Sequence, residues 1–335
     1  MHLSPFVARV LPGIVLAAAL PACAGQSSGV SSFTPQVRNA AESSTPKSVP
    51  ATTLLHIFAA NRNTNSLLAF KFGASGDVRP EIKIGGIKTK LQLPDALAVD
   101  SSGYVYTAND GATQVEVFAP GATGDVKPAR IIGGSHSQLG PTEGILIDPS
   151  GNLWVSSYTR NAITEYAPGA KGDVLPIDTI AGSNTQLSTP VGMAMSGDRR
   201  LYVADQSSGT ISIFAAGAHG NVAPVATISG GSTHLDAPVT LAFDSNGRLL
   251  VADQYGGVLV FAKGASGNAT PLAQITTLVR PYGVIADGGN HIWVSDLVGQ
   301  SIDQFSSDAN GNAKPMRKIA GTKTHLYDPE YLVIH

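Results

Sequence analysis

Three acidic residues of this chain, Asp95, Glu143 and Glu330, occupy the same place in three similar segments, each leading into a short apolar run. In three further segments of the same kind that place holds Val191, Val239 and Tyr282. Carboxylates brought together in this way can hold a hard cation, since Ca²⁺ takes six to eight oxygens. One of them can instead serve as a general base, its pKa raised by burial and by its neighbours. The plain alternative is a set of solvated acids on a rim, because close carboxylates without a cation repel. A second set of equivalent positions holds Asn61, Asn109, Ser157, Asp205, Asp253 and Asp296, each eight or nine residues before an aromatic residue of the Phe70, Phe118, Tyr166 type. Side chains of this sort at a turn usually accept hydrogen bonds from loop amides. Asp205, Asp253 and Asp296 join Asp95, Glu143 and Glu330 as candidates for a ligand site, and Ca²⁺ at Asp95, Glu143 and Glu330 is the one cofactor considered.

Other chemistry-bearing residues are less informative. His136, His234 and His325 all lie in loops of the GSHSQL, GSTHLD and GTKTHL type, in repeats too far apart to converge on one metal. The chain contains no H-E-x-x-H, no G-x-S-x-G and no phosphate-binding loop. Trp154 and Trp293 fall at equivalent strand positions and read as core.

The elements that position these residues follow from a repeat. The turn Gly-Asp/Asn-x-x-Pro recurs at Gly76, Gly124, Gly172, Gly220, Gly267 and Gly311, in steps of 48, 48, 48, 47 and 44 residues. A constant period of this length marks a propeller or a solenoid. Each copy carries four short runs rich in apolar and β-branched residues, as in ALAVD (96–100), YVYTA (104–108), QVEVF (114–118) and ARII (129–132). Their length and the Gly, Pro and Asp punctuation favour strands, and no window sustains a helical period. Four antiparallel strands per repeat is the pattern of a propeller blade. The first copy begins at LLHIFAAN (54–61), without a first strand of its own, and Pro329–His335 aligns with the first strand at Pro94–Asp100. The expectation is an all-β, six-bladed β-propeller of four-stranded antiparallel blades, closed by the C-terminal strand. The acids then ring the mouth of its central channel. Closure also removes the exposed sheet edge.

The line P-x-G-x-A-x-D-x-x-G-x-L-Y-V-A-D resembles the NHL-repeat consensus. It is matched best from Pro190-Val191-Gly192 through Leu201-Tyr202-Val203-Ala204-Asp205, and from Pro281-Tyr282-Gly283 through Ile292-Trp293-Val294-Ser295-Asp296. The resemblance covers about residues 54–335 and implies the fold. It leaves function open, because such propellers include binding scaffolds, lyases and lactonases. The phrase F-A-P-G-A-x-G-D-V-x-P also resembles bacterial surface lipoproteins that carry such arrays.

The N-terminus reads as an export signal. Arg9 precedes the apolar run Val10–Leu20, and Leu20-Pro21-Ala22-Cys23 resembles the lipobox of bacterial lipoproteins, in which the Cys is acylated. Cys23 is the single cysteine, so no intramolecular disulfide forms. Ordinary cleavage at Ala22-Cys23-Ala24 is the alternative. The expected organisation is a signal peptide over 1–22, a Ser/Pro-rich tether over 23–50 that cannot offset its ordering entropy, and the propeller over 51–335. A membrane partner through the lipid anchor is expected, at the outer membrane in a two-membrane host, or a secreted protein without it. Charged residues make up 14% and the net charge is −2, without a basic run, so nucleic acid is not an expected partner. The leading expectation is an extracytoplasmic, monomeric module that binds a protein or small molecule. The alternative is a metal-dependent lyase or lactonase-type hydrolase with its site at the channel mouth.

Overall fold

A computed structural model of the chain describes residues 55–335. Those residues form six four-stranded antiparallel sheets, with five short 3-10 turns and no α-helix among them. The inner strands touch in the cyclic order Pro329–Ile334, Pro94–Val99, Thr142–Ile147, Pro190–Met195, Pro238–Phe243, Pro281–Ala286 and back to Pro329–Ile334. The sheets therefore stand as blades around one axis. The chain is a six-bladed β-propeller. The signal-peptide, Cys23 and tether expectations lie outside the described residues.

The first blade is completed as the alignment implied. Strand Pro329–Ile334 lies inside His56–Asn61, with Ile57 opposite Ile334, Phe58 opposite Val333 and Ala59 opposite Leu332. The amides of His56 and His335 exchange bonds of 2.7 and 3.0 Å beyond that register. Ser66–Lys71 and Ile82–Gly85 finish the blade. Apolar residues on both faces of the middle strands are buried, because each sheet is packed between two neighbours. Tyr166, Phe70, Phe118, Phe214, Phe261 and Phe305, one per blade, are fully buried at the ends of third strands.

The turn motif that set the repeat has a mechanical role. Its glycine bridges to the outer strand of the preceding blade, pairing Gly124 with Ile84, Gly172 with Ile132 and, across the seam of the ring, Gly76 with Ile319. The following Asp or Asn accepts an amide from that blade's outgoing loop. Lys88 donates to Asp125 at 2.7 Å, Asn184 to Asn221 at 2.7 Å and Lys323 to Asp77 at 2.7 Å. The glycines of the P-x-G line serve close approach of the inner strands. A Cβ on Gly144, Gly192 or Gly283 would stand 2.0, 2.1 or 2.3 Å from a carbonyl oxygen of the next inner strand.

Every blade carries a register irregularity at the start of its inner strand, between Pro94 and Leu97, Thr142 and Gly144, and Pro329 and Leu332 among others. Bulges of this kind re-aim a side chain locally. Asp95, Glu143 and Glu330 lie within these three, which is how the fold turns them away from the regular strand alternation.

Candidate ligand site at the channel mouth

The connections from second to third strands and from each blade to the next share the face on which the inner strands begin. On that face Asp95 is fully buried, Glu330 almost so, and Glu143 partly exposed. Arg62, which immediately follows Asn61 in the first blade, joins Asp95 and Glu330, whereas Glu143 makes no bond to it. Its guanidinium donates to Asp95, to Asp110 at 3.1 Å, and stands 3.7 Å from Glu330. Tyr158 donates its hydroxyl to the other oxygen of Asp110 at 3.4 Å. Blades one, two and three thus contribute the pairs Glu330 and Arg62, Asp95 and Asp110, Glu143 and Tyr158.

The electrostatics follow from burial. Desolvation pushes Asp95 and Glu330 both above the ordinary carboxylate range, Glu330 further, and each is set against the other's charge or hydrogen bond. Their buried oxygens Asp95 Oδ2 and Glu330 Oε2 have no hydrogen-bond partner. Burial, with Asp95 and Asp110 adding to it, pushes Glu143 up to about 7. Burial alone would lower Arg62, but Asp95, Glu330 and Asp110 outweigh it and hold the guanidinium above its usual value. Beside the acids stand two buried tyrosines, Tyr282 in the same ring of positions and Tyr331 next to Glu330 in the chain, with ring centroids 6.1 Å apart and edge to face. Both phenols are pushed well up by burial and by the carboxylates, and the Tyr331 hydroxyl has no partner. Below, the inner strands of all six blades line an apolar channel segment of about 210 Å³.

Three candidates are placed differently. Asp205, Asp253 and Asp296 are buried and turn into the loops instead of lining the mouth. Asp253 accepts the amides of Asp236 and Ala237 at 2.8 and 3.0 Å, and Asp296 those of Val279 and Arg280 at 2.8 and 3.0 Å. Asp205 holds Ser188 and Thr189 in the same way. A carboxylate that caps two amides satisfies donors that would otherwise be buried alone. Asn61 and Asn109 do the same work with one oxygen and add an N–H to a loop carbonyl, His325 at 2.9 Å and Lys90 at 2.9 Å. The histidines stay apart. His136 bonds Asp173 at 2.8 Å, His234 bonds Gln274 at 2.9 Å, and His325 contributes its carbonyl to the turn at Asn61.

The acids do not fit a hard divalent cation. Among the described residues no three or more His, Cys, Asp or Glu side chains are grouped to hold a metal, and the Arg62 guanidinium sits on Asp95 where such an ion would have to bind.

No known protein family and no curated protein matches the sequence. Solved structures do match in fold. A chain of the nidogen–laminin complex aligns with TM-score 0.60 and 16% identity, over 84% of this chain and 98% of that one. A protein of unknown function from Bacteroides caccae aligns at 0.59 and 10%, over 84% and 98%. A streptogramin B lyase aligns at 0.52 and 14%, over 82% of each chain. Identities this low establish the propeller and nothing finer.

Proposed function

We propose that this propeller is an extracytoplasmic binding module, held to the cell envelope through Cys23, whose ligand site is the charged half of the channel mouth. One observation carries the site: two rings of equivalent positions break their repeat on the same three blades. The inner ring reads Glu330, Asp95, Glu143, then Val191, Val239, Tyr282; the ring after the turn caps reads Arg62, Asp110, Tyr158, then Gln206, Gln254, Leu297. Packing between similar blades favours similar residues, and buried carboxyls cost free energy that an apolar residue would not. A function at the mouth explains their retention. The metal-dependent lyase or lactonase-type hydrolase remains the alternative reading; the Arg62 guanidinium beside Asp95 weighs against an ion at that carboxylate.

The test is a melting screen of the full chain against panels of amines, sugars, organic acids and short peptides, repeated on Asp110→Asn and Glu143→Gln. A compound that raises the melting temperature of the parent and not of either variant supports the site. Stabilisation that both variants retain would place binding elsewhere. For the anchor, Cys23→Ser is expected in the soluble fraction while the parent sediments with membranes; equal partition of the two would remove it.

A further inference from the structure

The loops that carry the site also carry exposed apolar side chains: Ile87, 95% exposed in the turn from the first blade to the second, and an arc of four that breaks the repeat. Two residues beyond the turn caps, the six blades hold Asn63, Gly111, Thr159, Ser207, Tyr255 and Val298. Two residues before the inner strands they hold Gln92, Gly140, Ser188, Asp236, Val279 and Tyr327. Polar or small residues fill the places beyond the caps on blades one to four and those before the inner strands on blades two to five, whereas Tyr255 of blade five, Val279 and Val298 of blade six and Tyr327 of blade one are exposed to 70, 66, 56 and 48%. The four follow one another around the ring without a gap. They end at Tyr327, three residues before Glu330, so the apolar arc abuts the charged half of the mouth at the first blade.

The two halves are complementary in what they ask of an occupant. The charged half offers four carboxyl groups against the single guanidinium of Arg62. Glu143 Oε2 and the Tyr331 hydroxyl, on a residue almost wholly buried, lack partners. A second cation is the group that this surplus attracts, and Asp110 and Glu143, which are not fully buried, are within reach of solvent. Single exposed apolar residues on a surface are ordinary, but four in one arc beside a polar site mark a contact surface. The acids lie at the inner strands and the arc lies on the loops outside them. An occupant touching both must extend over several residues of chain at about 3.3–3.6 Å each, longer than a small amine.

We propose that this face docks an extended peptide segment of a protein partner, with a lysine or arginine side chain at Asp110 and Glu143 and neighbouring apolar side chains over Tyr255, Val279 and Val298. This rests on the mouth being a ligand site. The probe is a fluorescent hexapeptide with blocked ends, Gly-Lys-Leu-Tyr-Val-Gly, compared with its Lys→norleucine and Lys→Glu forms and with n-hexylammonium, by polarisation and competition against the full chain.

The lysine peptide is expected to bind about tenfold tighter than the norleucine form, with the glutamate form weakest, as for one partly desolvated charge pair. Glu143→Gln with Asp110→Asn should remove that preference. Tyr255→Ser with Val279→Ser and Val298→Ser should weaken every peptide by about tenfold while preserving the preference for lysine. Equal binding of the lysine and norleucine peptides, still weakened by the acid variants, overturns the cationic occupant but leaves the mouth as the ligand site. Binding of n-hexylammonium as tight as the peptide, lost in the acid variants, overturns the peptide occupant in favour of a small amine. No binding of any probe at millimolar concentration overturns the proposal, and the broader screen then decides whether the mouth binds anything.

Discussion

Replacing Glu143 by Gln should stabilise the protein at high pH and leave it unchanged at low pH. Glu143 is raised from 4.5 to about 7 by burial and by Asp95 and Asp110. A carboxyl whose folded-state pKa lies above its unfolded value binds its proton more tightly when folded. Its contribution to stability is complete below about pH 4.5 and is lost as pH rises through about 7. Each pKa unit is worth about 1.4 kcal/mol, so the full swing is at most about 3 kcal/mol, and the partial exposure of the side chain reduces it to about 2. Gln has the shape of the protonated acid and never acquires the charge. At about pH 8 the variant should therefore be about 2 kcal/mol more stable than the parent, with a melting temperature higher by roughly 5 °C. At about pH 4.5 or below the two should coincide, within about 0.5 kcal/mol. Calorimetry of both proteins at the two pH values reads the difference directly. An advantage of equal size at both pH values, or none at about pH 8, would refute the reasoning and mean that Glu143 is well solvated in the folded protein.

Three further outcomes follow from the same geometry. Arg62→Met removes the cation from Asp95 and Glu330 and should cost about 3–5 kcal/mol above neutrality, with a smaller loss at low pH where both acids are protonated; urea titrations across pH would show it. Removing residues 330–335 takes away buried Tyr331 and Leu332 with the inner strand of the first blade, at about 1.5–3 kcal/mol per buried side chain before the lost strand pairing is counted. Melting within a degree or two of the parent would contradict the closure. Gly192→Ala places a Cβ 2.1 Å from the carbonyl of Val239 and should destabilise by about 1–3 kcal/mol, whereas Gly197→Ala, with open space around it, should change the melting temperature little.

The architecture was legible because the blades are alike. A turn repeated six times gave the blade count, and the match of Pro329–His335 to Pro94–Asp100 gave the closing strand. Asp95, Glu143 and Glu330 were legible as departures from that regularity. Their partner Arg62 was missed, although the ring after the turn caps breaks on the same blades and carried the signal. What sequence could not supply is reach: Arg62 meets Asp95, 33 residues away, only because a bulge turns one side chain and a short 3-10 turn presents the other. For Asp205, Asp253 and Asp296 both turn capping and a place at the mouth were open, because residue type alone does not reveal whether a carboxylate faces a channel or the amides of its own loop; they cap their loops. Glu116 was passed over altogether. It is an acid buried within the third strand of the second blade and pushed up to about 7, chiefly by burial, where the repeat suggested ordinary packing.

The double seam of the ring has a consequence for how the protein comes into being. Within the array, each blade's clasp reaches back to the blade made just before it, so strand pairing and clasping keep pace with synthesis. The first blade alone must wait. Its inner edge at His56–Asn61 is covered only by Pro329–Ile334, and its clasp at Gly76 and Asp77 finds Ile319 and Lys323 only when the sixth blade exists. Until then the nascent chain presents an unpaired strand edge, the kind of surface on which β-proteins aggregate or exchange strands. Two contacts separated by about 250 residues are also the slowest to form, since long loops close against the largest entropy. Ring closure is therefore expected as the late step of folding, and refolding kinetics of the full chain and of a chain lacking residues 330–335 would show it.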